Sequence, residues 1–463
     1  MYSFEEAKGW AGAYKGQSAY VYPSDLNDIT QVIEYAVKNK LQISSVGSSN
    51  SLGDSVVNSN NLLVSTRNLK EIIQFDFDSG ILEVECGATV REVLYRIFPL
   101  GWMLRAIPGT LNATIGGCIS NNVHGKDSLH GGNFGNHVIW FDILLASGEV
   151  LRSSRNENQD LFFASIGGIG LTGIIVRAAI QLYKIQSPYL DCVKICSMSL
   201  EETYLNINSF DNYDFAQVWL DSTFMLGNCG KGITMASKFQ ESENFDFSNI
   251  DIGSSLESKI KFFGLFPTKA CWRSAKHFFY PPFIEFVNDM YWRKSNFFSS
   301  FAKKHTSSFH KYYFFHNVIG DFYSTYNPPG FLEMQVFVPE DNGLSDLKRL
   351  FCKIKEAGLI SVLSGMKKTI SDDFCISFSG NGVTVSYAFP VRGIGVQELT
   401  RRLGPIYNFV ADFGGKINLS KDQAMSADVF KKCYSRYDEF SSTKFKYDPT
   451  FLFANDMSRR LNL

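Results

Sequence analysis

Residues 108–138 combine residue types that could bind a charged ligand: seven glycines, five asparagines and the histidines His124, His130 and His137. Glycine lets backbone N–H groups approach a ligand closely and adopts positive φ without strain. Successive exposed N–H groups form a concavity that suits a phosphate or pyrophosphate. Bulky apolar side chains are scarce between residues 119 and 134, so neither a core helix nor a plain strand is expected. We interpret the run as a loop that cradles an anionic ligand.

Two further loops rich in glycine and small residues lie at residues 45–54 and 164–173. Any one of these loops could be no more than a turn between packed elements. Three of them within the first 175 residues favour one large ligand that is touched many times. None reads Gly-x-Gly-x-x-Gly at the start of a helix or Gly-x-x-x-x-Gly-Lys-[Ser/Thr], so neither a Rossmann nor a P-loop nucleotide site is supported.

The elements that must position these loops alternate between helix and strand over residues 20–182. A helix is predicted over residues 22–40, with Ser24 or Asp25 as its N-cap, and Thr89 is expected to open another. Farther along, the pattern changes to long strands, aromatic-rich segments and amphipathic helices. The clearest apolar runs predict strands at residues 41–46, 60–66, 80–87, 138–154, 174–182, 331–339 and 383–390.

The composition is that of a globular protein: 463 residues, of which 45% are hydrophobic and 20% charged, with a net charge of −1. A chain of this length is expected to form two domains, and its near-neutral charge argues against a nucleic-acid partner. The nine cysteines form no paired Cys-x-x-Cys sets, so we predict no metal site and free thiols in a reducing compartment. Neither a signal-peptide pattern nor a run of about 18 apolar residues is present. We therefore expect a cytoplasmic protein.

Residues 258–316, the basic aromatic segment, differ from the rest of the chain. They hold 10 Lys or Arg against 2 Asp or Glu, and 19 of the 59 residues are aromatic. Interleaved charges and rings suit the surface of an anionic membrane, and the same mixture suits single-stranded nucleic acid. The alternative is a basic insertion whose aromatic side chains pack on the domain. We weigh packing and a peripheral membrane contact equally, and both above nucleic acid.

The chain resembles the vanillyl-alcohol-oxidase/PCMH-type FAD-linked oxidases. Within that family it most resembles the oxidase subunits of decaprenylphosphoryl-β-D-ribose 2′-epimerases. The matching runs extend over both halves of the chain, from about Trp10 to the last residue: PGT, TIGG, HGK, NFGNHV, FFASIGGIGLTGIIVRA, YWRKS, PPGFL, LSKD and FLFANDMSRRLNL. Their order and spacing, rather than any single motif, carry the resemblance.

The resemblance implies an α+β fold, the two-domain PCMH-type FAD-binding fold. The FAD-binding domain would comprise residues 1–188 and be completed by residues 416–463. Residues 189–415 would form a substrate or cap domain with a mainly antiparallel sheet, and the basic aromatic segment would be an insertion within it.

The resemblance also implies which residues hold FAD. The predicted contacts come from the first two glycine loops and one strand: Gly47, Ser48, Ser49, Asn50, Ser51, Leu52, Gly109, Thr110, Thr114, Gly116, Gly117, Asn121, Asn122, His124, Gly125, Lys126 and Ile174. Many relatives attach the flavin through a histidine in the first loop, and here that loop has none. Cys118 is the nearby thiol in the second loop. We therefore predict non-covalent FAD.

The substrate side is implied in the same way. Its predicted residues are Phe315, Glu333, Gln335, Lys367, Thr384, Ser386 and Lys421. Four positions depart from the epimerase subunit: Leu52 stands for a tyrosine, Glu333 for a glutamine, Thr384 for an asparagine and Ser386 for a cysteine. Lys367 would bind a substrate phosphate, although Lys368 beside it makes the assignment ambiguous. The departures concern the substrate more than the flavin, so flavin binding is the firmer inference.

Two residues are predicted to be catalytic. Oxidation of a sugar sends a hydride to the flavin, and a fixed ammonium would stabilise the negative charge that develops there. The resemblance gives this role to Lys421, which could otherwise be a surface lysine in a polar loop. His124 could accept the hydroxyl proton, because the pKa of histidine suits neutral pH, or it could only hydrogen-bond the loop backbone. His130 and His137 are interpreted as structural.

We expect an FAD-dependent oxidoreductase acting on CH–OH groups, which oxidises a sugar hydroxyl to a keto group. The favoured substrate is a polyprenylphosphoryl pentose, with a separate short-chain reductase as the partner that completes an epimerisation of a cell-envelope sugar. The first alternative is an oxidase of a soluble alditol or sugar lactone. The second is a flavin-binding scaffold without turnover, against which the intact glycine loops and Lys421 argue.

Overall fold

The computed structural model describes residues 3–223, 230–242, 245–247, 261–262, 266–267, 281–301, 304–314, 326 and 328–463. The helices in these ranges are α1 Leu26–Asn39, α2 Val90–Ile97, α3 Ile115–Ser120, α4 Ser128–Gly131, α5 Gln159–Ser165, α6 Leu200–Ile207, α7 Pro281–Phe301, α8 Phe309–Tyr313, α9 Gly343–Glu356, α10 Val396–Asp412, α11 Ala427–Cys433, α12 Tyr437–Tyr447 and α13 Asp456–Leu461. Short 3₁₀ turns lie at Asp54–Val56, Phe98–Leu100 and Phe134–His137.

The strands of the described residues are β1 Phe4–Lys8, β2 Lys15–Val21, β3 Ile43–Val46, β4 Leu62–Ser65, β5 Ile72–Asp76, β6 Ile81–Glu85, β7 Trp102–Met103, β8 Val138–Leu144, β9 Val150–Ser154, β10 Ile174–Gln181, β11 Tyr183–Lys184, β12 Tyr189–Ser197, β13 Phe215–Leu220, β14 Gly232–Phe239, β15 Lys261–Phe262, β16 Phe266–Pro267, β17 Lys304–Ser308, β18 Phe331–Pro339, β19 Ser364–Thr369, β20 Gly382–Pro390 and β21 Lys416–Ile417. The strands predicted from apolar runs are confirmed, with ends displaced by a few residues.

The first half of the chain builds two sheets. One has the order β1-β2-β4-β3, with β4 parallel to both of its neighbours, and the other is antiparallel with the order β5-β6-β10-β8-β9. Helix α1 begins after Asp25, whose carboxylate accepts a hydrogen bond from the backbone of Asp28, and so the predicted helix and one of its two candidate caps are confirmed. Its apolar stripe packs on both sheets, because Ile29 and Val32 share a core with Leu144 and Ile174.

The second half builds one antiparallel sheet of eight strands, in the order β17-β12-β14-β13-β19-β20-β18-β21. Side chains alternate between its two faces. On β18, Met334, Val336 and Val338 are buried in the core beneath helices α6, α9 and α10. Glu333 and Gln335 therefore project from the opposite face, which is turned toward the glycine loops. The fold is the α+β arrangement expected, with an antiparallel sheet opposite the loops.

The tail returns from this sheet to the first half. Strand β21 is still an edge strand of the eight-stranded sheet, so the chain leaves that sheet after Ile417. Farther on, Ile43 donates to Leu452 O at 2.7 Å, and the guanidinium of Arg460 binds both oxygens of Asp54 at 2.7 and 3.0 Å. The division of the chain into domains at residues 188 and 416 stays a prediction. Residues 416 and 417 pair with the eight-stranded sheet, and the tail after them contacts the first half of the chain.

No helix of the described residues is both long and apolar enough to cross a lipid bilayer.

Candidate active site

A cavity of about 510 Å³ lies where the glycine loops face the eight-stranded sheet. All three loops line it. The predicted residues that line it are Gly47, Ser48, Ser49, Asn50, Ser51, Leu52, Gly109, Thr110, Thr114, Gly116, Gly117, Asn121, His124, Lys126, Glu333, Lys367 and Lys421. The third loop contributes Ile169 and Gly170.

The first loop presents open backbone donors. It leaves β3 and turns at Ser49, which has a φ of 51°. Among the described residues, no hydrogen bond is accepted from the N–H groups of residues 48–51, and successive free N–H groups of this kind attract an anion. The loop ends where Leu52 donates to Ser420 O at 2.8 Å. Gly47 permits close packing here, since a Cβ at this position would lie 2.1 Å from Thr114 Oγ1.

The second loop is not one open run. Ile115–Ser120 form the buried helix α3, which Thr114 caps by accepting from Gly117 N at 3.1 Å. The first two N–H groups of the helix also donate hydrogen bonds within the protein, Ile115 to Ala88 O and Gly116 to Cys86 O, both at 2.8 Å. The expectation that this stretch contains no core helix is therefore wrong, because its small residues pack tightly against strand β6 and the residues that follow it.

Several polar atoms of the loops remain unmatched. Asn121 donates from Nδ2 to Gly117 O at 2.8 Å, but its Oδ1 is buried without a partner among the described residues. Asn50 Nδ2 and Ser55 Oγ are also buried without a partner among the described residues. A buried polar group without a hydrogen bond is costly, so these atoms call for a polar ligand. Together with the open N–H groups they fit the phosphates and polar ring edges of FAD.

Three predicted FAD residues do not line the cavity. The Asn122 side chain donates to Asp372 at 2.8 Å and accepts from Gly135 N at 3.0 Å. Gly125 is required by crowding, because a Cβ there would lie 2.2 Å from Asp127 Oδ1. Ile174 points into the core, and its neighbour Ile175 lines the cavity instead.

The sheet side of the cavity is built from one face of the eight-stranded sheet, and it is lined by Gln217 of β13, Glu333 of β18 and Lys367 of β19. In the antiparallel register, Gln335 of β18 lies opposite Ser386 of β20, and Thr384 of β20 lies opposite Lys367 of β19. Partners in such a register share a face. The predicted substrate residues Gln335, Thr384 and Ser386 do not line the cavity. Phe315 lies outside the described residues.

Lys421 is held in the cavity by its ion pair and its backbone. Its ammonium lies 2.6 Å from Glu333 Oε1, and the two side chains are 29% and 12% exposed. The Lys421 N–H donates to Asn418 O at 3.2 Å, and Asn418 N donates to Gln335 O at 3.0 Å. The lysine is thus fixed to strand β18 and does not extend into solvent.

Lys367 and Lys368 are distinguished by the pleat of β19. Lys368 projects from the other face and forms an ion pair with Asp211 at 2.8 Å. Lys367 lines the cavity and donates no hydrogen bond to a described residue. Burial and the nearby charge of Lys421 lower the pKa of Lys367 to about 8. Of the two, Lys367 is the one placed to meet a ligand.

His124 is almost fully buried at the cavity wall, 9% exposed, with Nε2 close to the Gln335 amide. Burial, together with the charges of Lys367 and Lys421, holds the pKa of this imidazole well below its usual value. The premise that its pKa suits neutral pH is therefore wrong, because a third cation beside the two lysines in a buried pocket is disfavoured.

Lys126 reaches the cavity with its stem, but its ammonium is already bound. Nζ donates to Tyr312 O at 2.8 Å and lies 5.1 Å from the centre of the Tyr312 ring. Burial lowers the pKa of Lys126 well below its usual range.

Sequence reasoning missed Gln217, Tyr313 and Asn418, which also line the cavity. The period-two pattern of residues 215–220 could have placed Gln217 on the polar face of its strand. Asn418 carries no signal in sequence, because its place depends on the neighbouring strand.

Comparison with known proteins agrees with this geometry. Residues 17–154 match a family model described as an FAD binding domain. The chain is 27% identical to decaprenylphosphoryl-beta-D-ribose oxidase of Mycolicibacterium smegmatis over 98% of this chain and 97% of that protein. It is 25% identical to L-gulonolactone oxidase of Scyliorhinus torazame over 39% of this chain and 40% of that protein. It is 28% identical to cytokinin dehydrogenase 2 of Arabidopsis thaliana over 35% of this chain and 32% of that protein.

The open N–H groups of residues 48–51 and the unmatched polar atoms of Asn50, Ser55 and Asn121 all lie within the range that matches the FAD binding domain. The similarity to decaprenylphosphoryl-beta-D-ribose oxidase extends over 98% of the chain, including the strands that carry Glu333 and Lys367 and the loop that carries Lys421. With an FAD binding domain over residues 17–154 and similarity to an oxidase over nearly its whole length, the chain is an FAD-dependent oxidoreductase.

Proposed function

We propose that the protein oxidises a hydroxyl group of a polyprenylphosphoryl pentose to a ketone, as the first half of an epimerisation. The observation that carries the proposal is the ammonium of Lys367, which lines the cavity without a partner among the described residues, whereas Lys421 is paired with Glu333 and the Lys126 ammonium donates to Tyr312 O. A site of this charge suits a phosphorylated substrate. The relative that acts on such a substrate, judged by its name, also matches this chain in both halves.

Bound FAD would supply the acceptor for the hydride that leaves the hydroxyl-bearing carbon. The residues of the chain would provide charge and position. Lys421, fixed by Glu333 and Asn418, would place a permanent positive charge where negative charge develops. Lys367 would bind the substrate phosphate, because it lines the same cavity and its ammonium has no partner among the described residues.

We propose that FAD is held without a covalent bond. Among the described residues of the cavity wall there is no cysteine, and His124 is the single histidine. Cys118 is fully buried in α3, and burial raises the pKa of its thiol. Precipitation with acid should therefore leave the yellow colour in the supernatant, whereas colour in the pellet would contradict the proposal.

The substrate is tested by anaerobic mixing in a stopped-flow instrument. A short-chain polyprenylphosphoryl pentose should bleach the flavin, and a sugar lactone or alditol at the same concentration should not. The lactone is the main competing substrate, because between 37% and 39% of the chain matches lactone oxidases. Bleaching by the lactone alone would replace the proposed substrate and leave the flavoenzyme assignment intact.

A polyprenyl substrate requires access to a membrane, and helix α7 offers a surface for it. The helix buries Ile284 and Trp292 against the domain and exposes Phe286, Met290 and Phe297 on its outer side. These exposed residues are separated by four and seven positions and therefore share a face. We propose that this face binds an anionic bilayer peripherally.

The ketone product would need a hydride donor to complete the epimerisation. We propose a separate short-chain reductase as that partner. Adding such a reductase with its reduced nicotinamide should convert the product to the epimer, and unchanged ketone would count against this pairing.

A further inference from the structure

We infer that His124 acts in the proposed oxidation as a hydrogen-bond donor through a protonated Nδ1, and that Gln335 and Asn418 are positioning residues that fix this tautomer. The inference rests on the proposed function for its catalytic meaning, but the proton position stands on contacts alone. It replaces the expectation that His124 accepts the hydroxyl proton.

A chain of hydrogen bonds, the relay, runs from Ser420 through Asn418 and Gln335 to His124. It begins at a group that can only be a donor. The backbone N–H of Ser420 lies 3.0 Å from Asn418 Oδ1, and the Ser420 hydroxyl lies 2.8 Å from the same atom. A backbone N–H can only donate. The side-chain atom of Asn418 that faces it must therefore be the oxygen, and the amide nitrogen of Asn418 must face the other way.

The next step fixes the amide of Gln335. Asn418 Nδ2 donates to Gln335 Oε1 at 2.9 Å. This leaves Gln335 Nε2 as the atom that faces His124, at 3.1 Å from its Nε2, whereas Gln335 Oε1 is farther from that nitrogen, at 3.4 Å. The tautomer of a histidine follows from such a network. Since the amide nitrogen donates, His124 Nε2 accepts and carries no proton.

The single proton of the neutral ring is then on Nδ1. That atom is buried and has no partner among the residues that the structure describes. Because His124 lines the cavity, a ligand bound there can supply the acceptor that Nδ1–H lacks. The chemistry required is an oxygen lone pair, either on the reacting sugar carbon or on the flavin ring.

The burial of the ring supports this state. The pKa of His124 is held well below its usual value by burial and by Lys367 and Lys421, so the ring stays neutral across the neutral pH range. A neutral Nδ1–H would hold a sugar oxygen in position, or stabilise the negative charge that a flavin oxygen takes up with the hydride. It does not accept the hydroxyl proton released in the oxidation, which would pass to another group of the cavity, whose wall offers the carboxylate of Glu333.

Two-bond ¹H–¹⁵N correlation spectra of the holoenzyme, labelled at histidine, test the inference. The signal assigned by its loss in His124→Gln should show a protonated Nδ1 and an unprotonated Nε2 from pH 6 to 8. An Nε2–H tautomer or an imidazolium in the wild-type protein would overturn the inference, whatever the substrate proves to be.

Two isosteric variants should move the proton. In Gln335→Glu the carboxylate faces His124 with an acceptor, and in Asn418→Asp the Gln335 amide should reverse to satisfy the new carboxylate. Both are expected to give the Nε2–H tautomer and a fall of about tenfold to a hundredfold in flavin reduction, with FAD retained. The matched control is Gln397→Glu, the same substitution at an exposed residue of helix α10, which should leave the Nδ1–H tautomer unchanged. If both variants keep Nδ1–H, the relay does not set the tautomer.

The Nδ1–H resonance of His124 also shows whether the sugar or the flavin accepts its hydrogen bond. An Nδ1–H resonance that shifts downfield only when a short-chain polyprenylphosphoryl pentose is added assigns the acceptor to the sugar. A resonance already shifted in the holoenzyme assigns it to the flavin. A resonance that exchanges freely with water in both samples would mean that Nδ1 donates to no ligand, which overturns the catalytic role.

Discussion

The two walls of the cavity are made in different ways. The cofactor wall, where we propose that FAD binds, is built from backbone: among the described residues nothing accepts from the N–H groups of residues 48–51, and a Cβ on Gly47 would lie 2.1 Å from Thr114 Oγ1. The substrate wall, where we propose that the sugar binds, is built from side chains, and its chemistry lies in the charges of Glu333, Lys367 and Lys421. The first wall should therefore be sensitive to shape and the second to charge, which gives different phenotypes for mutations a few residues apart.

The largest effect is expected on the charged wall. Lys421→Ala should keep the fold and the flavin but slow reduction by substrate by about a hundredfold to a thousandfold, because an aimed charge at the reacting centre is lost. Stopped-flow bleaching under anaerobic conditions measures the rate. Lys432→Ala, an exposed lysine on α11, is the control and should be unchanged. A colourless Lys421→Ala protein would place this lysine with the cofactor wall.

On the cofactor wall, one added methyl group should be enough to weaken FAD binding. Gly47→Ala would place a Cβ against the Thr114 side chain, so FAD should bind about tenfold or more weakly, equivalent to about 1.4 kcal/mol. Release of FAD on dilution, followed by its fluorescence, measures this. Gly404→Ala on helix α10 meets no atom within 4 Å and should retain FAD as the wild type does. Equal retention in both variants would show that the loop tolerates the methyl group by moving.

The charged wall should also respond to pH. Because the pKa of Lys367 is lowered to about 8, its positive charge is present below that pH and is lost as the pH rises through it. Affinity for farnesyl phosphate, measured by quenching of flavin fluorescence, should fall above pH 8 by up to about tenfold per unit. In Lys367→Gln the affinity should be low and independent of pH over the same range. A wild-type affinity that stays constant to pH 10 would remove Lys367 from the phosphate site.

The smallest effect is expected outside the cavity, on α7. Lys294 is exposed beside the apolar face of that helix. Each basic residue near an anionic bilayer contributes about 1 kcal/mol, so Lys294→Gln should weaken binding to phosphatidylserine vesicles about fivefold. Co-sedimentation measures it, and flavin reduction by a soluble substrate should not change. Binding that is insensitive to salt and to this substitution would favour the view that the segment packs on the domain.

Sequence alone pointed to the loop at residues 45–54, because a loop that exposes its N–H groups needs glycine and small residues, but it missed the helix within residues 108–138. It could not resolve the details of either wall. Lys367 and Lys368 were equivalent until the strand register placed them on opposite faces. The low pKa of His124 and the role of Asn418 depend on neighbours more than 80 residues away, such as Gln335, which no local pattern reports.

The contact between Arg460 and Asp54 has a consequence for the order of folding. Asp54 is the last residue of the first glycine loop, and the same guanidinium also binds Asp422, next to Lys421. The anchor of this loop is therefore synthesised some 400 residues after the loop itself. Contacts of such long range form late. A nascent chain on the ribosome would hold its first strands without a finished flavin site, and cofactor capture should follow the synthesis of α13.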